Sequence, residues 1–310
     1  MSNFNINQRQ NLTSSIKQLL KERRPNLSDS SLTTYCSILK NLYKKIWVDN
    51  DDIHLKNFDN SDKVLHFLKD VEPSKRKTVL SALVVLTGNE SYRKYMLSDI
   101  EKYTQLIKSQ VKSPAQQANW VTMEEIRDKF HDLEDEAKLL YKKKNLTMTD
   151  FQQIQQMVIL ALLGGLFIPV RRSLDYTAMK KAGQINKEKD NYFDKKQFYF
   201  NAYKTKRAYG LQTLPIPPPL KKIIDKFASL MQHTDYLLVD SNSAPLTSVK
   251  LNQRLCKIFA PKKTSVNLLR HAYLTHKFSG EIEKNKQIAD TMSAMGSSAS
   301  MLPVYLKHDD

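Results

Sequence analysis

Apolar residues recur at three- and four-residue spacing through most of this chain, a period that favours helices over strands. In DSSLTTYCSILKNLYKKI, residues 29–46, Leu32, Tyr35, Leu39, Leu42 and Ile46 form one helical stripe behind Ser and Asp capping candidates. SDKVLHFLKDV and KRKTVLSALVVLTG repeat the pattern, so the first third predicts a bundle of four or five helices. The polar run IKSQVKSPAQQANW, from Ile107 to Trp120, has no sustained apolar period and contains Pro114; residues 113–119 are the expected linker. Beyond it, Thr122 and Glu125 stand at capping-box spacing before a periodic segment, and a second helix is expected from about Asp150 to Leu166. One stretch departs from the helical period. Asn191 to Pro217 is rich in aromatic and β-branched residues, contains the turn glycine Gly210, and reads as a two- or three-stranded antiparallel sheet. PPPLKKIIDKFASLM then opens another helix. The expected fold class is mainly α (α+β), with a helical domain over residues 1–112 and a mostly helical domain with one small antiparallel sheet over residues 120–310.

A length of 310 residues agrees with two domains of ordinary size. Charge says more. The 49 Lys and Arg outnumber the 32 Asp and Glu, giving +17, and the excess is +7 over residues 1–112 and +10 over the rest. Both parts therefore carry the bias, as expected of a chain that meets a polyanion. With 7 glycines and neither GxxxxGK[ST] nor GxGxxG, no glycine-rich phosphate loop is present, so phosphate chemistry would rely on side chains. The two cysteines, Cys36 and Cys256, lie far apart, which argues against a disulfide scaffold or structural zinc and for a reducing compartment. The N-terminal residues lack a signal-type apolar core, and the apolar stretch from Met157 to Val170 is too short to span a bilayer. A soluble intracellular protein is expected.

Four separated segments carry residues suited to phosphate chemistry. IPVRRSLDY holds Arg171 and Arg172 at a helix start, with Asp175 three residues after Arg172 and able to hold its guanidinium in place. A guanidinium is a permanent planar fork of donors that matches oxygens on phosphorus. FNAYKTKRAYG places Lys204 and Lys206 in or beside a β-turn, where a lysine of lowered pKa can hand a proton to a departing alkoxide. SVNLLRHAYLTHKF sets Asn267, Arg270 and His271 at another helix start, with Leu268, Leu269, Ala272 and Leu274 supplying packing. The last segment, IADTMSAMGSSASMLPVYLKHDD, brings Ser297 and then Tyr305, whose phenol can attack phosphorus. Taken singly, these are an ordinary surface Arg pair, a solvated hairpin tip, a capping arginine and one of 14 tyrosines.

Their order resembles the tyrosine recombinase (phage integrase) family across nearly the whole chain. PVRRSLDY, YKTKRAYG, VNLLRH and MGSS...YLK are most similar to the divergent integrases of large DNA viruses, virophages and related mobile elements. The resemblance implies an N-terminal helical core-binding domain and a C-terminal catalytic domain that clamp double-stranded DNA. It assigns the first catalytic arginine to Arg172, with Asp175, or to the adjacent Arg171. The hairpin lysine matches Lys204 more naturally than the supporting Lys206. Arg270 is the second arginine and His271 the histidine that follows it, while Tyr305 matches the nucleophile. Asn267 and Ser297 stand where the family usually has His and His or Trp. Asn267 can still donate to a phosphate oxygen but cannot shuttle a proton near neutral pH, and Ser297 offers a hydroxyl in place of imidazole or indole; the departures imply a slower enzyme, compensation by His271 or His308, or lost activity.

The implied reaction is site-specific DNA cleavage and rejoining, as in integration, through a 3′-phosphotyrosyl link, with no metal or ATP cofactor and a homo-oligomer, a tetramer, on DNA. A viral chain of this kind would act in the host cytoplasm or nucleus. The same residues also suit a DNA-relaxing type IB topoisomerase, or a catalytically impaired relative that only binds DNA.

Overall fold

The computed structural model describes residues 6–47, 54–230 and 234–307. His308 and Met231, which figure in the readings above, lie outside them. The chain is mainly helical with one small antiparallel sheet, and it divides into two compact units, one up to Val111 and the other from Lys112 onward.

The first unit comprises α1 (Ile6–Arg23), α2 (Asp29–Ile46), α3 (Ser61–Leu68), α4 (Pro73–Thr87) and α5 (Glu90–Lys108). Ser28 caps α2 by accepting from the Ser31 N–H, and the expected stripe faces inward, with Leu32, Leu39 and Leu42 buried. Tyr35 and Ile46 pack at its margin. Leu12, Ile16 and Leu20 of α1 and Leu80, Leu83 and Leu86 of α4 complete the core. The buried Tyr92 of α5 donates to the Phe58 carbonyl oxygen at 2.6 Å. Arg76 holds Asp99 through two hydrogen bonds of 2.8 and 2.7 Å and donates to the Lys69 carbonyl oxygen, which ties α4, α5 and the end of α3 together.

The second unit begins with α6 (Pro114–Asn119), so the polar stretch read as a linker holds one short helix, with Pro114 in its first turn and a Ser113–Gln116 capping box. Next come α7 (Met123–Leu140) and α8 (Met148–Leu163), which pack on one another. The Thr122–Glu125 capping box is formed at the start of α7. A second box, Thr147–Asp150, starts α8 two residues before the predicted boundary. Every residue of α8 from Ile154 to Leu163 is buried, so the apolar stretch is core helix. Among the described residues no helix is long and apolar enough to cross a membrane.

Asp150 receives the Lys143 ammonium at 2.7 Å, the Thr147 hydroxyl at 2.8 Å and the Thr147 N–H at 3.0 Å. These donors hold its carboxyl at about 2, below the ordinary 3.8. A depressed carboxyl contributes stability that is fully present above 3.8 and lost as pH falls towards about 2. Thermal melts across that acid range should therefore show a shallower fall for Asp150→Asn than for the parent. Parallel curves would mean that Asp150 carries no such linkage.

The sheet has the order β1 (Tyr192–Phe193), β2 (Gln197–Phe200), β3 (Gln212–Pro215), all antiparallel, with Phe200 opposite Gln212. Alternation along β2 sends Phe198 and Phe200 into the core, where both meet the ring of Tyr176 edge-on. Tyr199, on the other face, stacks on Tyr192. The remaining helices are α9 (Ser173–Thr177), α10 (Lys206–Tyr209), α11 (Pro218–Ala228), α12 (Ser248–Ile258), α13 (Val266–Lys277), α14 (Glu281–Ala294) and α15 (Leu302–Tyr305). Both cysteines are free.

Candidate phosphate site

Arg171 is the fixed point of the site. Its Nε donates to Asp175 Oδ2 at 2.8 Å and its Nη2 to Gln212 Oε1 at 3.0 Å. Its guanidinium also lies 3.8 Å from the Phe200 ring centroid and 5.5 Å from that of Tyr203. One side chain thus binds α9, β2, β3 and the loop after β2. The sequence reading set Asp175 against Arg172; the structure pairs it with Arg171, four residues away. Arg172 is the extended N-cap of α9 and makes no side-chain cap hydrogen bond. It is half-buried, with no hydrogen bond or ion pair to any described residue.

Arg270 reaches the same neighbourhood from α13. Ser265 caps that helix, and Asn252 of α12 accepts the Val266 N–H, while Leu268, Leu269 and Ala272 anchor it in the core. Leu274, expected to pack, is exposed because it lies beyond the buried stripe. Arg270 is also half-buried without a hydrogen bond or ion pair among the described residues. Burial, then the like charges of Arg172 and Arg171, lower its affinity for its proton, while Asp175 opposes them. Burial raises the Asp175 carboxyl above its ordinary value against the pull of Arg171, Arg172 and Arg270. Arg171 holds the carboxyl directly, and Arg172 and Arg270, from two distant segments, act on it electrostatically. The other carboxyl oxygen, Asp175 Oδ1, is buried and has no hydrogen-bond partner among the described residues. Asn267, on the first turn of α13, and His271, on the second, are both exposed.

The lysine loop is fastened to this frame. Asn191 donates through Nδ2 to the carbonyl oxygens of Asp175 at 3.0 Å and Ala202 at 2.9 Å. Its Oδ1 accepts the N–H groups of Asn201 and Ala202, both at 2.7 Å. Tyr203 closes the loop by donating to the Gly210 carbonyl oxygen. The tip is the short helix α10 followed by Gly210 at φ +66°, in place of the simple turn expected. Lys206 Nζ donates to the Glu188 carbonyl oxygen at 2.8 Å. Lys204 is exposed and makes no hydrogen bond to a described residue. Asn191, Gln212 and Phe200, which hold the site together, were not singled out in the sequence; the aromatic alternation of β2 was the only signal for any of them.

Tyr305 ends α15, is 56% exposed, and shares no hydrogen bond or electrostatic interaction with Arg171, Arg172, Lys204 or Arg270. Its helix packs on the turn at residues 299–301, which packs on α14. Ser297 is half-buried and its N–H donates to the Met292 carbonyl oxygen. The structure therefore bonds Arg171 to Asp175, puts Arg172 and Arg270 within electrostatic reach of that carboxyl, carries Lys204 on the loop fastened to the same frame, and gives Tyr305 no interaction with any of them.

No family model matches the chain, and no curated protein sequence matches it. Among solved structures, the crystal structure of XerA recombinase matches at 12% sequence identity, covering 87% of this chain and 84% of that one, with a TM-score of 0.30.

Proposed function

We propose that this chain is a DNA strand-cleaving and rejoining enzyme of the tyrosine recombinase type. The observation that carries the reading is the pair Arg172 and Arg270. Two half-buried arginines, from segments distant in sequence, feel each other's charge and that of Asp175, and neither makes a hydrogen bond or ion pair with a described residue. Half-buried donors without partners are costly, so two of them that share one electrostatic neighbourhood suit a ligand that supplies oxygens. A phosphodiester fits that geometry, and the excess of +17 suits a polymer of them.

In this reading Tyr305 Oη loses its proton to solvent as it attacks the scissile phosphorus, the bond from phosphorus to the 5′-oxygen breaks, and Lys204 gives a proton of its own to that oxygen. Arg172 and Arg270 neutralise the charge that accumulates on the two other phosphate oxygens. The phosphotyrosyl ester conserves the energy of the broken bond, so a 5′-hydroxyl of a partner duplex can reverse the step without metal or ATP. Exchange between two duplexes calls for a homo-oligomer on double-stranded DNA, which separates a recombinase or integrase from a DNA-relaxing topoisomerase.

The test uses duplexes selected for binding from a random pool and nicked so that the leaving strand diffuses away. Cleavage should trap a covalent protein–DNA adduct that survives denaturation. Asn267, Ser297 and the isolation of Tyr305 favour a second reading, a DNA-binding protein without chemistry. The absence of any adduct on demonstrably bound DNA would establish that reading instead. Joining of two marked duplexes, as against relaxation of a supercoil by a monomer, distinguishes the recombinase from the topoisomerase.

A further inference from the structure

The second unit holds two cavities of ligand size. The larger, about 650 Å³ between α7, α8 and α12, sets Asp132, Asp135 and Glu136 against Lys129, Arg254 and Lys257, so its charges compensate internally. The other, about 530 Å³, lies between α7, residues 165–167 and α13, and its character is different. Arg127, His131, His276 and Lys277 line it together with the rings of Phe167 and Tyr273, and no carboxylate lines it.

We propose that this cavity receives one unpaired nucleotide of a nucleic-acid strand, its base against Phe167 and Tyr273 and its phosphate between Arg127 and Lys277. Both parts of the ligand are argued from the walls. The rings are fixed in place: Phe167 meets Phe130 edge-on at 5.4 Å, and Tyr273 closes against Gly165. A Cβ at Gly165 would stand 2.5 Å from the Tyr273 ring, and its φ of +75° also favours glycine, so the local sequence is shaped around that ring. The cations are available. Arg127 is exposed and makes no hydrogen bond or ion pair with a described residue, and Lys277 Nζ stays 3.5 Å from the Tyr273 hydroxyl oxygen. His131 also faces Glu134 at 3.9 Å, outside the cavity lining. Permanent positive charge beside stacking platforms is how unpaired strands are held without sequence preference. A fully stacked duplex offers the phosphate but not the base face. Tyr273 and Lys277 follow Arg270 on the same helix, which would set an unpaired nucleotide beside the arginine cluster. The proposal does not need Tyr305 to be a nucleophile, so it can fail or hold separately from strand cleavage.

The experiment places 2-aminopurine in a short single-stranded overhang of a duplex and follows its fluorescence on titration with the full chain. Stacking should quench the probe, and the overhang should bind more tightly than the blunt duplex. Tyr273→Phe should keep the quenching. Tyr273→Ala should remove it and weaken overhang binding roughly 5- to 150-fold, the range of a lost base–aromatic stack. Because Tyr273 is half-buried, Arg127→Ala/Lys277→Ala serves as the fold-neutral variant. It should weaken overhang binding at least about tenfold at low salt and leave the melting temperature in place. An unquenched probe with equal affinity for overhang and blunt duplex would overturn the proposal. So would displacement by the free mononucleotide at comparable concentration, or by a glutamate-rich peptide, since either would name a different occupant.

Discussion

Tyr305→Phe is expected to abolish the covalent adduct, with a loss of roughly 10⁴-fold or more, while affinity for the uncleaved duplex stays within about twofold. The ring is 56% exposed and its hydroxyl bonds to no described residue, so removing the oxygen changes neither packing nor a hydrogen-bond network. Only its chemistry is lost. Most competing tyrosines are poor candidates on physical grounds: Tyr92 and Tyr176 are buried, and burial pushes both phenols well above the ordinary range. The serious rival is Tyr209, 67% exposed on α10 in the same loop as Lys204. Tyr209→Phe should therefore leave the adduct intact. An adduct that survives Tyr305→Phe and disappears in Tyr209→Phe would move the nucleophile to the hairpin tip. Because Tyr305 shares no interaction with the arginine cluster, the reaction requires bound DNA to bridge the two. Single-turnover cleavage should then be slower than binding.

Local signals in the sequence survived folding well. The Thr122–Glu125 box and the helical stripe of α2 need only a few neighbouring residues to form, so their spacing was enough to place them. The aromatic run of β2 was legible for a similar reason, since alternate residues of a strand see one environment. Where a boundary depended on a single backbone angle, hydropathy missed it. α8 was expected to run to about Leu166, where Pro169 would stop it, but the helix ends at Leu163 and Gly165 takes φ +75°.

The site itself was only half legible. Arg172, Lys204 and Arg270 stand out through the order of the four segments, whereas the contacts that build the frame around them are tertiary. Asn191 joins Asp175 to Ala202, and Gln212 meets Arg171 from the far strand; neither pairing leaves a trace in local sequence. The choice between Arg171 and Arg172 shows the limit most clearly. Asp175 lies four residues from one and three from the other, and both spacings bring side chains together on a helix. The folded chain shows only which of the two bonds to the carboxyl, Arg171 through its Nε, with Arg172 standing at the cap of α9.

That division of labour leads to opposite phenotypes at adjacent residues. Arg172→Ala, like Arg270→Ala, should lower the cleavage rate by about 10²- to 10³-fold, the scale of losing one donor to a developing oxyanion, with the melting temperature essentially unchanged. Arg171→Ala should instead destabilise the fold by about 3–5 kcal/mol, because it leaves a carboxyl in the interior without its partner. The Asp175 side chain is 3% exposed and one of its oxygens already lacks a hydrogen bond, so water cannot replace the lost guanidinium. For a unit of this size the melting temperature should fall by roughly 6–20 °C. The pH dependence gives the sign of the cause. Burial already raises the Asp175 carboxyl, and loss of Arg171, its strongest counter-influence, raises it further. A group with a raised folded value contributes most stability at low pH and loses it as pH rises through that value, so the Arg171→Ala deficit should be smaller in acid than at neutrality. Arg171→Ala/Asp175→Asn should recover part of the loss, since no charge is then stranded. If Arg171→Ala were stable but inactive and Arg172→Ala active, the roles would be exchanged, and Asp175 would be orienting the catalytic arginine directly.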